Sequence, residues 1–392
     1  MAKSKKIGLM GLSYISGNKG CVALAYSFLE VLHSLANSRN EKYDVYVFAN
    51  SMSKKMLPKI EYDTMRYHIA PITFPKPFKF MEDRMIKKCD VIFDFTAGDS
   101  FTDIYGMERF NERTALKEKV INLNVPLVLG SQTYGPFNSE ESKKRAAEVM
   151  KKAASVFSRD ELSDSIVLEL SGREAIRTTD IAFMLPYHKE KKEHQKKKIG
   201  INPSGLLWSG GYTKDNQFSL TVDYRRYLTE LIQKLVDSGE WEIHLIQHVF
   251  TQNPKIVDND AIPCKELKKQ FPSVIVTPTF DLPMDIKSYI SSMDLFIGAR
   301  MHATIGAFSS GTAVIPFSYS RKFEGLYKQF NYDYIISGRE FSTEEALTKT
   351  LDWVAQYKLL EEKVQNCSKQ IEQLNKLLIS ETSKCLDEIW GK

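Results

Sequence analysis

Five residues that could handle an anion sit close together in the chain. Arg300 and His302 follow the apolar run Leu295-Phe296-Ile297-Gly298, and Ser320, Arg321 and Lys322 follow a second apolar run from Ala313 to Phe317. Each run reads as a short buried strand, and the small residues from Ala303 to Ser310 read as a helix closed by Gly311. Open α/β sheets bind ligands beyond the carboxyl ends of their strands. The two polar groups would then share one rim, near a helix N-terminus that favours negative charge. His302 carries a side chain whose ordinary pKa permits proton transfer near neutrality. A histidine after a strand is often only a hydrogen-bonded core residue, and a Lys-Arg pair is usually solvated. Two such groups on consecutive strands are what point to a site.

Other strand-end loops add candidates. Arg159, in Phe157-Ser158-Arg159-Asp160-Glu161, could clamp a carboxylate or phosphate bidentately, or else pair with Asp160 or Glu161. Ser16-Gly17-Asn18-Lys19-Gly20 precedes a helix, and its glycines would let backbone N–H groups approach a ligand; it lacks the Gly-Lys-Ser/Thr ending of a phosphate loop and the spacing of a dinucleotide fingerprint. Asp94 to Asp103 gathers three carboxylates and three hydroxyls, in which Asp99 and Ser100 suit sugar hydroxyls or cap the next helix. Gln132 and Tyr134 form either a polar contact or a buried turn, and His248 ends a strand as a rim residue. No cysteine pair has metal-ligand spacing, and neither a metal nor a resident cofactor is expected.

The elements that must position these residues alternate. Strands are expected at 7–12, 43–49, 91–95, 125–130 and 155–159, then again at 199–201, 241–247, 274–276, 295–297 and 313–317, with amphipathic helices at 22–35, 162–169, 223–237 and 285–293. This is the pattern of parallel sheets covered by helices. Residues 186–198, poor in apolar side chains and rich in lysine, read as a linker. It separates an N-terminal domain (1–185), which holds Arg159, from a C-terminal one (199–335). Ser342 and Glu345 form a capping-box pattern, so 336–392 reads as helices packing on the domains. The 392 residues, 43% hydrophobic and 26% charged, suffice for two globular cores. The mild net charge of +5 suits an anionic substrate or weak peripheral membrane contact and makes no demand for nucleic acid. Five scattered cysteines, no secretory leader pattern and no long apolar run point to the cytoplasm, at the inner face of the membrane at most.

The order and spacing of Gly17-Asn18-Lys19-Gly20, Gly98-Asp99-Ser100, Ser131 to Pro136, Ser158-Arg159-Asp160, Gly298 to Ala303 and Ser320-Arg321-Lys322 resemble the polysaccharide pyruvyl transferase family. The resemblance implies an α/β fold of two Rossmann-like domains facing across a cleft, as in GT-B glycosyltransferases. It implies transfer of the enolpyruvyl unit of phosphoenolpyruvate to a nucleotide- or lipid-linked saccharide as a pyruvate ketal. His302 would be the acid, with Arg159 and Lys322 also catalytic. Arg159, Arg300, Ser320, Arg321 and Lys322 would hold the donor; Asn18, Asp99, Ser100, Gln132, Tyr134 and His248 would serve the acceptor. Thr96-Ala97-Gly98 replaces the family's glycine-rich run, and its side chains would narrow the acceptor end. The alternatives are a GT-B glycosyltransferase using a nucleotide-sugar, and a saccharide-binding protein without catalysis.

Overall fold

The computed structural model describes residues 4–72, 80–189, 195–253 and 256–391, apart from the side chain of Arg321; residues 190–194 of the expected linker lie outside the described residues. Two compact units form. The first comprises Met1–Ser16, Leu24–Met184 and Gln373–Lys392, and the second Gly17–Ala23 and Leu185–Glu372.

The first unit is built on a seven-stranded parallel sheet. Its strands are β1 (Lys5–Met10), β2 (Tyr43–Ala49), β3 (Met65–Pro71), β4 (Val91–Asp94), β5 (Leu127–Gln132), β6 (Ser155–Ser158) and β7 (Ile176–Arg177), in the order β3-β2-β1-β4-β5-β6-β7. The central strands are buried on both faces, as parallel strands between helices must be. Met10, Ile92, Leu127, Leu129 and Val156 join helix residues such as Phe110, Val120 and Val149 in one core. The order reverses between β1 and β4, so their loops part there. Gly11 (φ +69°) makes the exit from β1 possible: a Cβ on it would lie 2.3 Å from the backbone nitrogen of Thr96.

The second unit repeats the plan with six parallel strands, β8 (Lys197–Asn202), β9 (Trp241–Leu245), β10 (Ile275–Val276), β11 (Leu295–Gly298), β12 (Ala313–Ser318) and β13 (Ile336–Ser337), ordered β10-β9-β8-β11-β12-β13. β8 starts at Lys197, inside the stretch read as linker. Here the order reverses between β8 and β11, in register Ile201↔Ile297 and Asn202↔Gly298. The helix Tyr224–Ser238 turns Tyr227, Leu228, Leu231 and Leu235 onto this sheet's core. The expected capping box is present: Ser342 Oγ accepts from Glu345 N at 3.2 Å, and Ser342 N donates to Glu345 Oε2 at 2.8 Å. The helix it opens, Thr343–Ala355, and the next, Tyr357–Asn366, place Ala346, Val354 and Leu360 in the same core. The last helix, Ser368–Trp390, serves the first unit through its C-terminal part, where Asp387 pairs with Arg39 at 2.8 Å. No described helix is long and apolar enough to cross a membrane.

Candidate active site

In the second unit the switch point between β8 and β11 carries a buried polar hub. Its centre is Asp260, a residue that the sequence reading missed. It is fully buried and accepts six hydrogen bonds. Oδ1 takes Gly205 N (3.0 Å) and Arg300 Nε and Nη2 (3.1 and 2.6 Å); Oδ2 takes His248 N (3.0 Å), Val249 N (2.9 Å) and Asn202 Nδ2 (3.2 Å). Burial alone would raise the Asp260 carboxyl. Arg300 and the Gly205 and Val249 N–H groups outweigh that and hold it below the usual carboxylate range.

Arg300 therefore does not stand open for a donor. It is 7% exposed, and its Nη2 also lies 2.5 Å from Asp258 Oδ1. Its main chain is fixed as well, with Arg300 N donating to Asn202 Oδ1 at 3.1 Å. The expected donor ligand is first of all half of a buried ion pair, because a guanidinium at this depth needs carboxylate partners. What it secures is the turn from β11 into the helix Met301–Ser310, of which it is the N-cap residue and His302 a first-turn residue.

His302 is half-buried and packs against the glycine loop. A Cβ on Gly20 would come 2.4 Å from His302 Nδ1 and 3.1 Å from Asn18 Oδ1. The loop, assigned above to the N-terminal domain, groups with the second unit. Asn18 bridges Val249, Lys19 N donates to the His248 carbonyl at 3.0 Å, and Phe250 N donates to the Gly17 carbonyl at 3.0 Å. Its glycines make room for protein: a Cβ on Gly17 would lie 2.2 Å from the Phe250 carbonyl oxygen. Asn18 Oδ1 accepts from Gly20 N at 3.0 Å, and Lys19 Nζ reaches the Asp281 carbonyl at 2.9 Å.

His248 lies beneath this loop at 4% exposure, not on the rim. Burial, then the neighbouring His302, push its imidazole down to about 3, so it is neutral at pH 7. On the next strand over, β12 leads to Ser320, the N-cap of helix Arg321–Lys328. Ser320 makes no side-chain cap bond, and its buried Oγ has no hydrogen-bond partner among the described residues. Lys322 is half-buried in the first turn, and the Arg321 side chain lies outside the described residues. Two helix N-termini with His302, Ser320 and Lys322 thus stand at the ends of adjacent strands, an arrangement that can hold an anion beside a proton donor.

In the first unit Arg159 follows β6 and is 2% exposed. Its partner is Asp180 (Nη1 to Oδ2, 2.5 Å), with Nε on Thr133 Oγ1 at 2.8 Å. Asp160, 3.9 Å away, instead caps the helix Glu161–Ser171 by accepting from Ser163 N at 2.8 Å. Arg159 Nη2 is buried with no partner among the described residues. Asp99 and Ser100 do not cap the next helix, whose N-cap is Gly106. Asp99 Oδ2 accepts from Tyr105 OH at 3.3 Å, and Ser100, 2% exposed, accepts from Arg109 Nη2 at 2.8 Å. Gln132 and Tyr134 are interior: Gln132 Nε2 donates to the Asp94 carbonyl at 3.3 Å, and Tyr134 OH to the Gly130 carbonyl at 3.1 Å. Tyr134 thus forms the buried turn, not an exposed contact. Thr96 does not narrow the rim, because its side chain is buried and points into the unit; only Ala97 is partly exposed there.

The fold is GT-B-like, an α/β class of two Rossmann-like units followed by C-terminal helices. Solved structures similar over nearly the whole chain include sucrose-phosphate synthase from Thermosynechococcus elongatus (TM-score 0.59, 10% identity, 99% of each chain covered). They also include UDP-GlcNAc 2-epimerase from Neisseria meningitidis bound to UDP-GlcNAc (TM-score 0.57, 14% identity, 97% of this chain and 100% of that one). A third is HepE from Anabaena in complex with UDP and glucose (TM-score 0.57, 12% identity, 98% and 100%). No protein of curated function matches the sequence. The polysaccharide pyruvyl transferase family model matches residues 18–321, most of the chain, and the protein belongs to that family. The match begins at Asn18, inside the Gly17-Asn18-Lys19-Gly20 loop, and ends at Arg321, one residue short of Lys322.

Proposed function

We propose that this member of the family transfers the enolpyruvyl unit of phosphoenolpyruvate to two hydroxyls of a saccharide, releasing phosphate and forming a pyruvate ketal. The observation that carries this reading is His302. It is a titratable group fixed at a helix start by the Arg300–Asp260 pair and by Gly20, with the Ser320–Lys322 helix start on the adjacent strand. His302 would protonate the methylene carbon of the donor. One sugar hydroxyl then bonds to the central carbon, the carbon–oxygen bond to phosphate breaks, and the second hydroxyl closes the ketal. One hydroxyl proton restores His302 and the other leaves with the phosphate. Lys322 and the Arg321–Lys328 helix N-terminus would stabilise the departing phosphate. Arg159 would offer its unused Nη2 to an anionic oxygen of the donor. Asp99 would contact the acceptor, a nucleotide- or lipid-linked saccharide.

The test is mass spectrometry of candidate saccharides incubated with the protein and phosphoenolpyruvate. A gain equal to pyruvic acid less one water is expected. In parallel, phosphoenolpyruvate should raise the melting temperature more than UDP-sugars do. The reverse ranking, with a hexose transferred from a UDP-sugar, would replace this reading with that of a nucleotide-sugar glycosyltransferase.

A further inference from the structure

The rim loop after β4 is held in a conformation that its residues do not favour. Thr96, Ala97 and Gly98 are three successive left-handed residues, with φ of 42°, 56° and 88°. Glycine adopts this region freely, whereas a β-branched residue does so only under constraint. The turn is well anchored by its main chain: Ala97 N donates to the Gly11 carbonyl (2.7 Å), Gly98 N to the Phe95 carbonyl (2.8 Å) and Ser100 N to the Thr96 carbonyl (3.0 Å). These bonds record the conformation and do not explain why threonine accepts it.

The Thr96 side chain supplies the explanation. Its hydroxyl donates to Asp94 Oδ1 and accepts from Lys117 Nζ at 2.7 Å, and Lys117 Nζ lies 3.0 Å from the same Asp94 oxygen. Lys117 and Asp94 are buried, at 0% and 3% exposure, and the ammonium also sits 4.7 Å from the Phe101 ring centroid. A buried charge pair of this kind is costly to form and costly to break, so its geometry is well defined. Beyond the turn lie the groups assigned to substrate. Asp99 and Ser100 follow it directly, Thr133 N donates to the Gly98 carbonyl at 2.8 Å, and Thr133 Oγ1 accepts from Arg159.

Resting on the acceptor role proposed for Asp99, we infer that Lys117, Asp94 and Thr96 are positioning residues. The buried Lys117–Asp94 pair grips the Thr96 hydroxyl, locks the left-handed turn, and so sets where Asp99 meets a saccharide hydroxyl. None of the three touches substrate.

Threonine 96 allows a sharp test. Thr96→Val keeps shape and the charge pair but removes the grip. Thr96→Gly also removes the grip but takes the left-handed turn without penalty. Amide hydrogen exchange over residues 95–103 should be about tenfold faster in Thr96→Val, the factor that one left-handed L-residue's penalty represents, and close to wild type in Thr96→Gly. Asp94→Asn with Lys117→Met, which leaves no lone buried charge, should behave as Thr96→Val. On the saccharide found to be pyruvylated, Thr96→Val should raise the acceptor KM several-fold while kcat and stabilisation by phosphoenolpyruvate stay near wild type. Equal exchange in Thr96→Val and wild type overturns the grip. Faster exchange with an unchanged acceptor KM overturns its positioning role. Failure of the wild type to pyruvylate any saccharide would instead refute the proposed reaction, and exchange, read on the protein alone, would still judge the grip.

Discussion

Replacing Arg300 distinguishes a structural arginine from a donor ligand. In Arg300→Met, Asp260 loses Nε and Nη2 and remains a fully buried carboxylate. Removing one partner of a buried pair costs about 3–5 kcal/mol. The four hydrogen bonds that Asp260 keeps, from Asn202, Gly205, His248 and Val249, place the expected loss near the lower end, about 3 kcal/mol. Asp260→Asn should cost a similar amount, because the amide presents a donor to groups that are all donors and leaves Arg300 with Asp258 alone. The double variant should be less destabilised than the sum of the two by roughly 2 kcal/mol. Urea unfolding of the four proteins gives these values, and thermal stabilisation by phosphoenolpyruvate gives donor binding for each. If Arg300→Met stays within about 1 kcal/mol of wild type while losing tenfold or more in donor affinity, the guanidinium serves substrate and the reasoning fails.

Three further outcomes are expected. His302→Gln should lower turnover roughly a hundredfold or more with little change in donor affinity, and turnover surviving within about tenfold would exclude His302 as the acid. Gly20→Ala puts a methyl 2.4 Å from His302 Nδ1 and should lower kcat about tenfold or more by displacing the ring, an effect to be read in steady-state kinetics with donor binding as the control. Lys287 is buried, donates to the Leu185 carbonyl at 2.8 Å, and is pushed down to about 7 by burial. Its folded pKa lies below the unfolded value of about 10.4, so the unfolded chain binds more protons between those pH values and stability rises with pH across the window, by up to about 1.4 kcal/mol per unit. Lys287→Met should therefore gain most over wild type near pH 6.5 and lose that advantage by pH 9–10 in urea unfolding; a pH-independent difference would show that Lys287 does not titrate there.

The sequence revealed what local pattern encodes. β2 falls at Tyr43–Ala49 as expected, and β11 and β12 extend one residue beyond the expected runs, because apolar runs between polar turns carry the period of a buried strand. The loops that end those strands were legible for the same reason, which is why His302 and Lys322 could be placed beyond strand ends, in the first turns of the helices that follow. β3 was not: Met65–Pro71 interleaves Arg66 and His68, as an edge strand exposed on one side can. Asp260 escaped because it sits in a polar run, Asp258-Asn259-Asp260, that reads as surface, and its partner Arg300 lies 40 residues on. Asp180 and Lys117 escaped likewise, each needing a partner about 20 residues away, Arg159 and Thr96. Pairings of this kind are decided by tertiary packing, which a single sequence does not display.

The division of the chain between the units also dictates an order of events during synthesis. The first unit requires Gln373–Lys392, whose Asp387 pairs with Arg39 and whose Cys385 Sγ lies 3.2 Å from Ser155 Oγ. At usual elongation rates those residues leave the ribosome roughly ten to forty seconds after Met184. The second unit needs only Leu185–Glu372 and the short segment Gly17–Ala23, made long before. The N-terminal sheet therefore waits unfinished, with the Arg39 and Ser155 surfaces uncovered, while the unit translated after it reaches completion. A chain ending at Glu372 would hold every residue of the second unit and lack the Gln373–Lys392 part of the first. In this chain it is the last helix, and not the first domain, that closes the folding sequence.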